Sequence, residues 1–184
     1  VNALANLSPN ELDGATLYVN LEPCSHHGNT PPCCDLVLAK GIKKVIIGAT
    51  DPNPKVAGRG IAALKAAGVE VISSVLENDC LELNKRFYCF HTKKRPYIIL
   101  KWAQSADGYM APAEDKKGEV FWISDADSQQ LAHRWRAEEH SILVGRKTVD
   151  DDNPKLTIRK WTGINPVRLV IDPNNSIDAN AAVL

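Results

Sequence analysis

The residues best suited to chemistry lie in one short stretch, Leu21-Glu-Pro-Cys24-Ser-His-His-Gly-Asn-Thr-Pro-Pro-Cys33-Cys34-Asp35. A β-type run ends in Glu-Pro-Cys, a polar loop follows, and Pro-Pro-Cys opens the next segment. Cys33 therefore belongs in the first turn of a helix, where unpaired amides and the positive dipole end favour a thiolate. A thiolate is the form that binds zinc. Two such sulfurs, with a third ligand from elsewhere, leave the fourth tetrahedral position to a water. Zinc lowers the pKa of that water to about 7. Plainer readings of the same residues are ordinary buried cysteines, or a closed structural zinc site completed by His26 or His27. Cys80 and Cys89 lie nine residues apart on a helical segment, share no face well, and read as core or surface thiols. Cys34 adjoins a ligand candidate but points elsewhere on the helix.

The elements that must position these side chains alternate between strand and helix. Thr16–Glu22 reads as a strand, 33–40 as a short helix stopped by Gly41, and 44–48 as a buried parallel strand. A helix over 60–67 closes at Gly68, and a strand follows over 69–73. Residues 79–91 read as one amphipathic helix with Leu83, Phe87 and Phe90 on a face. The basic break Thr92-Lys-Lys-Arg-Pro96 is the expected domain boundary, giving domains 1–94 and 95–184. After it the rhythm restarts with a strand over 97–102. A capping box at Ser124-Asp-Ala-Asp127 opens a helix carrying Leu131 and Trp135, and strands follow over 141–145 and 167–171. Such alternation implies two α/β units with mainly parallel sheets.

Bulk composition narrows the function classes. The chain has 184 residues, 44% hydrophobic and 24% charged, with 22 basic and 22 acidic side chains. That balance lacks the basic footprint of a duplex nucleic-acid binder. No apolar run approaches a membrane span. Five cysteines, an odd number, argue against a disulfide scaffold and for a reducing cytoplasmic compartment. Because the chain opens at Val1 and closes on Ala-Ala-Val-Leu, it reads as an internal fragment.

At this point the residues resemble a family. Zinc nucleobase deaminases carry a His-x-Glu helix and then a Pro-Cys…Cys helix. The common form has two residues between its cysteines, whereas eight separate Cys24 from Cys33. The segment 22–33 is similar to the riboflavin-pathway deaminases of the RibD family, and Asp51-Pro-Asn-Pro-Lys-Val-Ala-Gly-Arg-Gly60 resembles their substrate loop. The resemblance implies zinc held by Cys24 and Cys33, with His26, Asp51 and Asn53 touching a pyrimidine ribosylamino phosphate. His26 and Asn53 are equally able to cap turns. Asn29 stands where some relatives carry Lys. The family's His-x-Glu, which supplies the third ligand and the proton shuttle, is expected upstream of Val1, since no His precedes His26. The fragment alone is therefore expected to be inactive, with no catalytic residue of its own. A different zinc deaminase, or a non-catalytic structural zinc fragment, remains the alternative.

The second half resembles the companion NADPH-dependent reductase. Lys101-Trp-Ala-Gln-Ser-Ala-Asp-Gly108, Trp122-Ile-Ser, Arg134-Trp-Arg-Ala-Glu-Glu-His140 and Thr148-Val-Asp-Asp-Asp-Asn-Pro-Lys-Leu-Thr-Ile-Arg159 carry that likeness. It implies NADPH contacts from Ala103, Trp122, Thr148 and Asp152, and substrate contacts from Arg136, Leu156 and Arg159. Two arginines suit a sugar phosphate, Trp122 offers a flat wall, and Thr148 and Asp152 are spaced i, i+4. Taken singly, an Arg on a helix is usually solvated and a Trp is usually core. Arg146 and Lys147 read equally as 2′-phosphate partners or as surface charge. Two departures are extra residues over 113–117 and Gly118-Glu-Val120 where relatives have Gly-x-Ser. The fold implied is α/β: a cytidine-deaminase-like three-layer α/β/α domain, then the N-terminal part of a dihydrofolate-reductase-like α/β domain. A homo-oligomer acting on a small molecule, with neither nucleic acid nor membrane as partner, is the expected setting.

Overall fold

The computed structural model describes residues 2–28, 30–111 and 121–184. Asn29, the extra residues over 113–117 and the departure over 118–120 lie outside them. The chain divides into two compact units, Val1–Ile99 and Leu100–Leu184.

In the first unit a short helix α1 (Asn2–Ala5) and a 3-10 turn (Pro9–Leu12) lead into β1 (Thr16–Leu21). Then follow α2 (Cys33–Ala39), β2 (Lys44–Ala49), α3 (Arg59–Ala66), β3 (Glu70–Ile72), α4 (Glu77–Leu83) and α5 (Lys85–Lys93). The strands form a parallel sheet in the order β1-β2-β3, with Leu17 opposite Val45 and Val45 opposite Val71. The continuous apolar run of β2 reflects cover on both faces. Val45 and Ile47 point to one face and pack with Cys34, Val37 and Leu64 from α2 and α3. On the other face Gly48 meets α4, where a Cβ on the glycine would lie 2.1 Å from the Cys80 sulfur. Helix, sheet and helix thus make the three layers expected. Each buried Val, Ile or Leu side chain contributes ~1.5–3 kcal/mol relative to exposure.

Three local expectations need correction. The single helix over 79–91 is two helices that meet at Asn84. The Asn84 side chain donates back to the Cys80 carbonyl at 2.9 Å, a bond that competes with helix continuation. Leu83 and Phe90 are exposed, and the residue α5 buries is Cys89. The expected strand over 97–102 pairs with no strand among the described residues, so its β propensity finds no ladder. The helix after it is capped by Asp125 rather than Ser124. The Asp125 carboxylate accepts from the Ser128 amide at 2.8 Å, and the Ser128 side chain, then that amide, draw its pKa down.

The second unit contains α6 (Ala126–Glu138), β4 (Ser141–Gly145), α7 (Arg146–Asp152) and β5 (Val167–Ile171). β4 and β5 pair in parallel, Leu143 opposite Leu169. A small core forms where Val149 and Leu156 meet Val183, with Ile142, Val144 and Val170 of the strands packed against it. Leu131 and Trp135, spaced one turn apart on this helix, are exposed. The buried residue of α6 is His133.

Candidate functional site

In the first unit the candidate residues gather at the C-terminal ends of β1 and β2, where parallel strands release the chain into loops. Cys24 follows β1 and Cys33 opens α2. The Cys33 amide donates to the Cys24 sulfur at 3.3 Å, and the Cys34 amide donates to the Cys24 carbonyl at 3.1 Å. The two thiols lie within hydrogen-bonding reach of each other. Burial, then the hydrogen bond and charge of Cys24, push the Cys33 thiol above its usual range. The helix end alone therefore does not make Cys33 a thiolate, as the sequence suggested. The Cys33 thiol, part-buried beside a second sulfur, resists ionisation until a cation binds there. Among the described residues no three His, Cys, Asp or Glu side chains are grouped to hold a metal. The sulfurs fit two corners of a tetrahedral ion, and the remaining ligands must come from elsewhere.

Cys34, set aside in the sequence, is buried. Its sulfur donates to the carbonyls of Pro23 at 3.4 Å and Gly60 at 3.7 Å. Burial, then the neighbouring Cys24, raises its pKa to about 11, so it stays a neutral thiol.

The Asp51 loop stands at the end of β2. Asp51 is buried, and its Oδ1 accepts from the Asn53 amide at 2.7 Å. Asn53 Oδ1 in turn accepts from the Lys55 amide at 3.1 Å, the turn-capping role weighed for it. That leaves Nδ2 as the group able to donate to a ligand. His26 is part-buried, and its Nδ1 is buried with no hydrogen-bond partner. An orphaned polar atom costs ~1–3 kcal/mol, which a ligand contact would offset. The Tyr88 hydroxyl of α5 donates to the Thr50 carbonyl and so braces the same loop.

Glu22 was missed. It is 3% exposed, and its carboxylate accepts from four backbone amides. The available signal was a charged residue directly before Pro-Cys, at the inner end of a sheet strand. A carboxylate there requires partners.

In the second unit a cavity of about 300 Å³ is lined by Lys101, Trp122, His133, Arg136, Arg159 and Lys160, among others. Trp122, expected to touch cofactor, and Arg136 and Arg159, expected to touch substrate, thus share one pocket wall. The Arg136 guanidinium donates to the Thr157 carbonyl at 3.2 Å, and burial followed by the nearby Arg159 lowers its pKa. The Arg159 amide donates to His133 Nδ1 at 3.0 Å. Burial, then Arg136, Arg159 and Lys160, hold the His133 pKa down, so it stays neutral. His133 was also missed, although it precedes Arg136 by three residues and so shares its helix face.

The other residues are not brought to that cavity's lining. Thr148 and Asp152 are exposed at the two ends of one α7 face. Arg146 and Lys147 pair with Asp150 and Asp151 one turn on, at 3.0 and 2.7 Å. Leu156 is core at φ +53°, which leaves its backbone rather than its side chain to face a ligand. Ala103 is part-buried in the extended segment after residue 100.

Comparison with known proteins bears on both units. A family profile described as "Cytidine and deoxycytidylate deaminase zinc-binding region" matches residues 1–49, and one described as "RibD C-terminal domain" matches residues 96–184. A riboflavin biosynthesis protein RibD of Aquifex aeolicus is 45% identical over 93% of this chain and 48% of its own length. One from Escherichia coli K12 is 40% identical over 89% of this chain and 47% of its own. The crystal structure of a diaminohydroxyphosphoribosylaminopyrimidine deaminase/5-amino-6-(5-phosphoribosylamino)uracil reductase from Thermotoga maritima superposes with a TM-score of 0.82. It shows 43% identity, with 91% of this chain and 47% of that one covered. RibD of Acinetobacter baumannii gives 0.83 at 36% identity, over 92% and 48%. The chain spans about half the length of the relatives it matches.

Proposed function

We propose that the chain belongs to the RibD family and that the full-length protein containing it is a bifunctional enzyme of riboflavin biosynthesis. Its first domain hydrolytically deaminates 2,5-diamino-6-(5-phosphoribosylamino)pyrimidin-4-one. Its second domain then reduces the ribosyl side chain of the product to ribityl with NADPH. The observation that carries the reading is the corner formed by Cys24 and Cys33, which brings two sulfurs together within one unit that also holds the Asp51 loop.

In this reading Cys24 and Cys33 hold zinc, which when bound supplies a nucleophilic water at neutral pH. Asp51 and Asn53 orient the substrate, and the unpartnered His26 Nδ1 is a further contact for it. A third zinc ligand and a proton-shuttling Glu, not grouped with the two sulfurs among the described residues, would complete the site. In the second unit Arg136 and Arg159 bind the sugar phosphate, Leu156 contributes through its backbone, and neutral His133 fixes the Arg159 backbone. Ala103, Trp122, Thr148 and Asp152 would contact the nicotinamide cofactor. The hydride belongs to the cofactor, and the protein's share is orientation and exclusion of water. The enzyme is a cytoplasmic homo-oligomer. Among the described residues no helix is long and apolar enough to cross a membrane.

The test is made on the full-length protein. It should bind about one zinc per chain and release ammonia from the diaminopyrimidine substrate. It should oxidise NADPH only when given the deaminated product. Ammonia release that survives complete zinc removal, or NADPH oxidation on the amino substrate first, would overturn the reading.

A further inference from the structure

Glu22 takes no part in the roles assigned above. It is nonetheless the point where the metal corner and the substrate loop are joined. Oε2 accepts from the Asp51 amide at 3.2 Å and the Gly58 amide at 2.9 Å. Oε1 accepts from the Gly60 amide at 2.9 Å and the Ile61 amide at 3.1 Å. One oxygen therefore ties both ends of the 51–58 loop. The other caps the first turn of α3. On the opposite side only Pro23, whose φ is fixed by its ring, separates Glu22 from Cys24. Gly60 permits the approach, because a Cβ there would sit 1.9 Å from the Pro23 carbonyl oxygen and 3.2 Å from Glu22 Oε1. From α2 the Cys34 sulfur donates to the carbonyls of Pro23 and Gly60, the two residues in this contact.

We infer that Glu22 is a positioning residue for deamination: its buried carboxylate sets the spacing between the sulfurs that hold the metal and the loop that orients the substrate. The inference rests on the deaminase reading above. Glu22 is not an acid or base for the reaction. Its oxygens are turned to backbone amides and its side chain is closed off from solvent. Charge-assisted bonds from backbone N–H to a carboxylate are shorter and about twice as strong as neutral ones, so this joint resists displacement. Small displacements matter, since a shift of ~1 Å at a substrate-orienting group costs on the order of 100-fold in rate.

Glu22→Gln keeps the shape but exchanges one acceptor oxygen for an NH₂ that faces two amide donors, so two of the four bonds are lost. Glu22→Asp keeps the charge on an arm one methylene shorter. In the full-length protein, Glu22→Gln should lower deaminase kcat/KM by about 10- to 100-fold, mainly through KM. Zinc content and reductase turnover on the deaminated product should stay at wild-type values. Amide hydrogen exchange at Asp51 and Gly58 should quicken, and Glu22→Asp should fall between the two. A merely structural role would instead lower zinc content and stability and leave KM unmoved. That result overturns the inference, as does a wild-type KM in Glu22→Gln. If Glu22→Gln does not accumulate as folded protein, Glu22→Asp carries the same readouts. A wild-type enzyme that holds zinc but releases no ammonia removes the deaminase reading itself, a failure distinct from a silent mutation in an active enzyme.

Discussion

The candidate residues of the first unit are held by backbone, and those of the second largely by one another's absence of neutralisation. At the ends of β1 and β2, Cys24, Asp51 and Asn53 sit on short loops whose amides are bonded to sulfur or carboxylate. Around the cavity beside α6, the charges are of one sign. Lys101, Arg136, Arg159 and Lys160 converge with no carboxylate among the lining residues described. In the first arrangement the loop amides at Cys33, Asp51 and Asn53 are bonded before substrate arrives, and His26 Nδ1 is left without a partner. The second stores like-charge repulsion that a bound anion relieves, and the lowered pKa of Arg136 reflects it together with burial. Rigid positioning suits a reaction that attacks one ring carbon. A cationic cup suits capture of a phosphate-bearing chain.

Several substitutions break or sharpen that contrast. The largest effect is expected from Cys24→Ser or Cys33→Ser in the full-length protein. Deaminase activity should fall at least about 100-fold with zinc lost, while NADPH oxidation is untouched. Elemental analysis alongside both assays would show it, and equal loss in both domains would erase the contrast. Next comes Arg159→Ala or Arg136→Ala. Removing a charge-assisted contact of ~1.5–3 kcal/mol should reduce reductase kcat/KM by roughly 10- to 150-fold with ammonia release unchanged. Added inorganic phosphate should stabilise the wild type more than either variant in thermal melts.

Gly60→Ala should destabilise the first unit by about 1–3 kcal/mol in urea titration, because its new methyl meets backbone rather than a flexible side chain. A pH effect belongs to the second unit. Burial and three nearby cations lower the folded-state pKa of His133. The unfolded chain therefore takes up the proton first, and stability present above about pH 6.5 is lost as pH falls. His133→Gln should flatten that slope in denaturation curves collected between pH 7 and 5. The smallest effect is Arg146→Ala. Its pair with Asp150 is solvent-exposed, so the unfolding free energy should change by no more than ~0.5 kcal/mol.

Much of the first unit was legible in the sequence because its signals are local. The β2 run Val45-Ile-Ile47, the glycines after α2 and α3, and the Glu-Pro-Cys turn each specify their own backbone. What escaped depends on tertiary contacts. Asn84 splits a periodic helix by bonding back to Cys80, and the residues over 97–102 have strand propensity without a strand to pair with. Glu22 and His133 escaped for a related reason. A buried polar residue is recognised by its partners, and the partners of Glu22 lie one crossover connection away. The Cys33 thiol misled in the opposite direction. The dipole of its helix end was visible in the sequence, but the opposing effects of burial and Cys24 were not.

The close fit of Gly60 under the Pro23 carbonyl reaches beyond this one chain. Two positions distant along the polypeptide behave as a single heritable unit. A side chain gained at 60 can be tolerated only if the turn at 22–24 is rebuilt in the same step, and that turn carries Cys24. Drift at Gly60 is thus policed by the cysteine two residues past Glu22. A saturation library of the full-length gene should show position 60 accepting almost no replacement singly, with survivors carrying second changes in the turn.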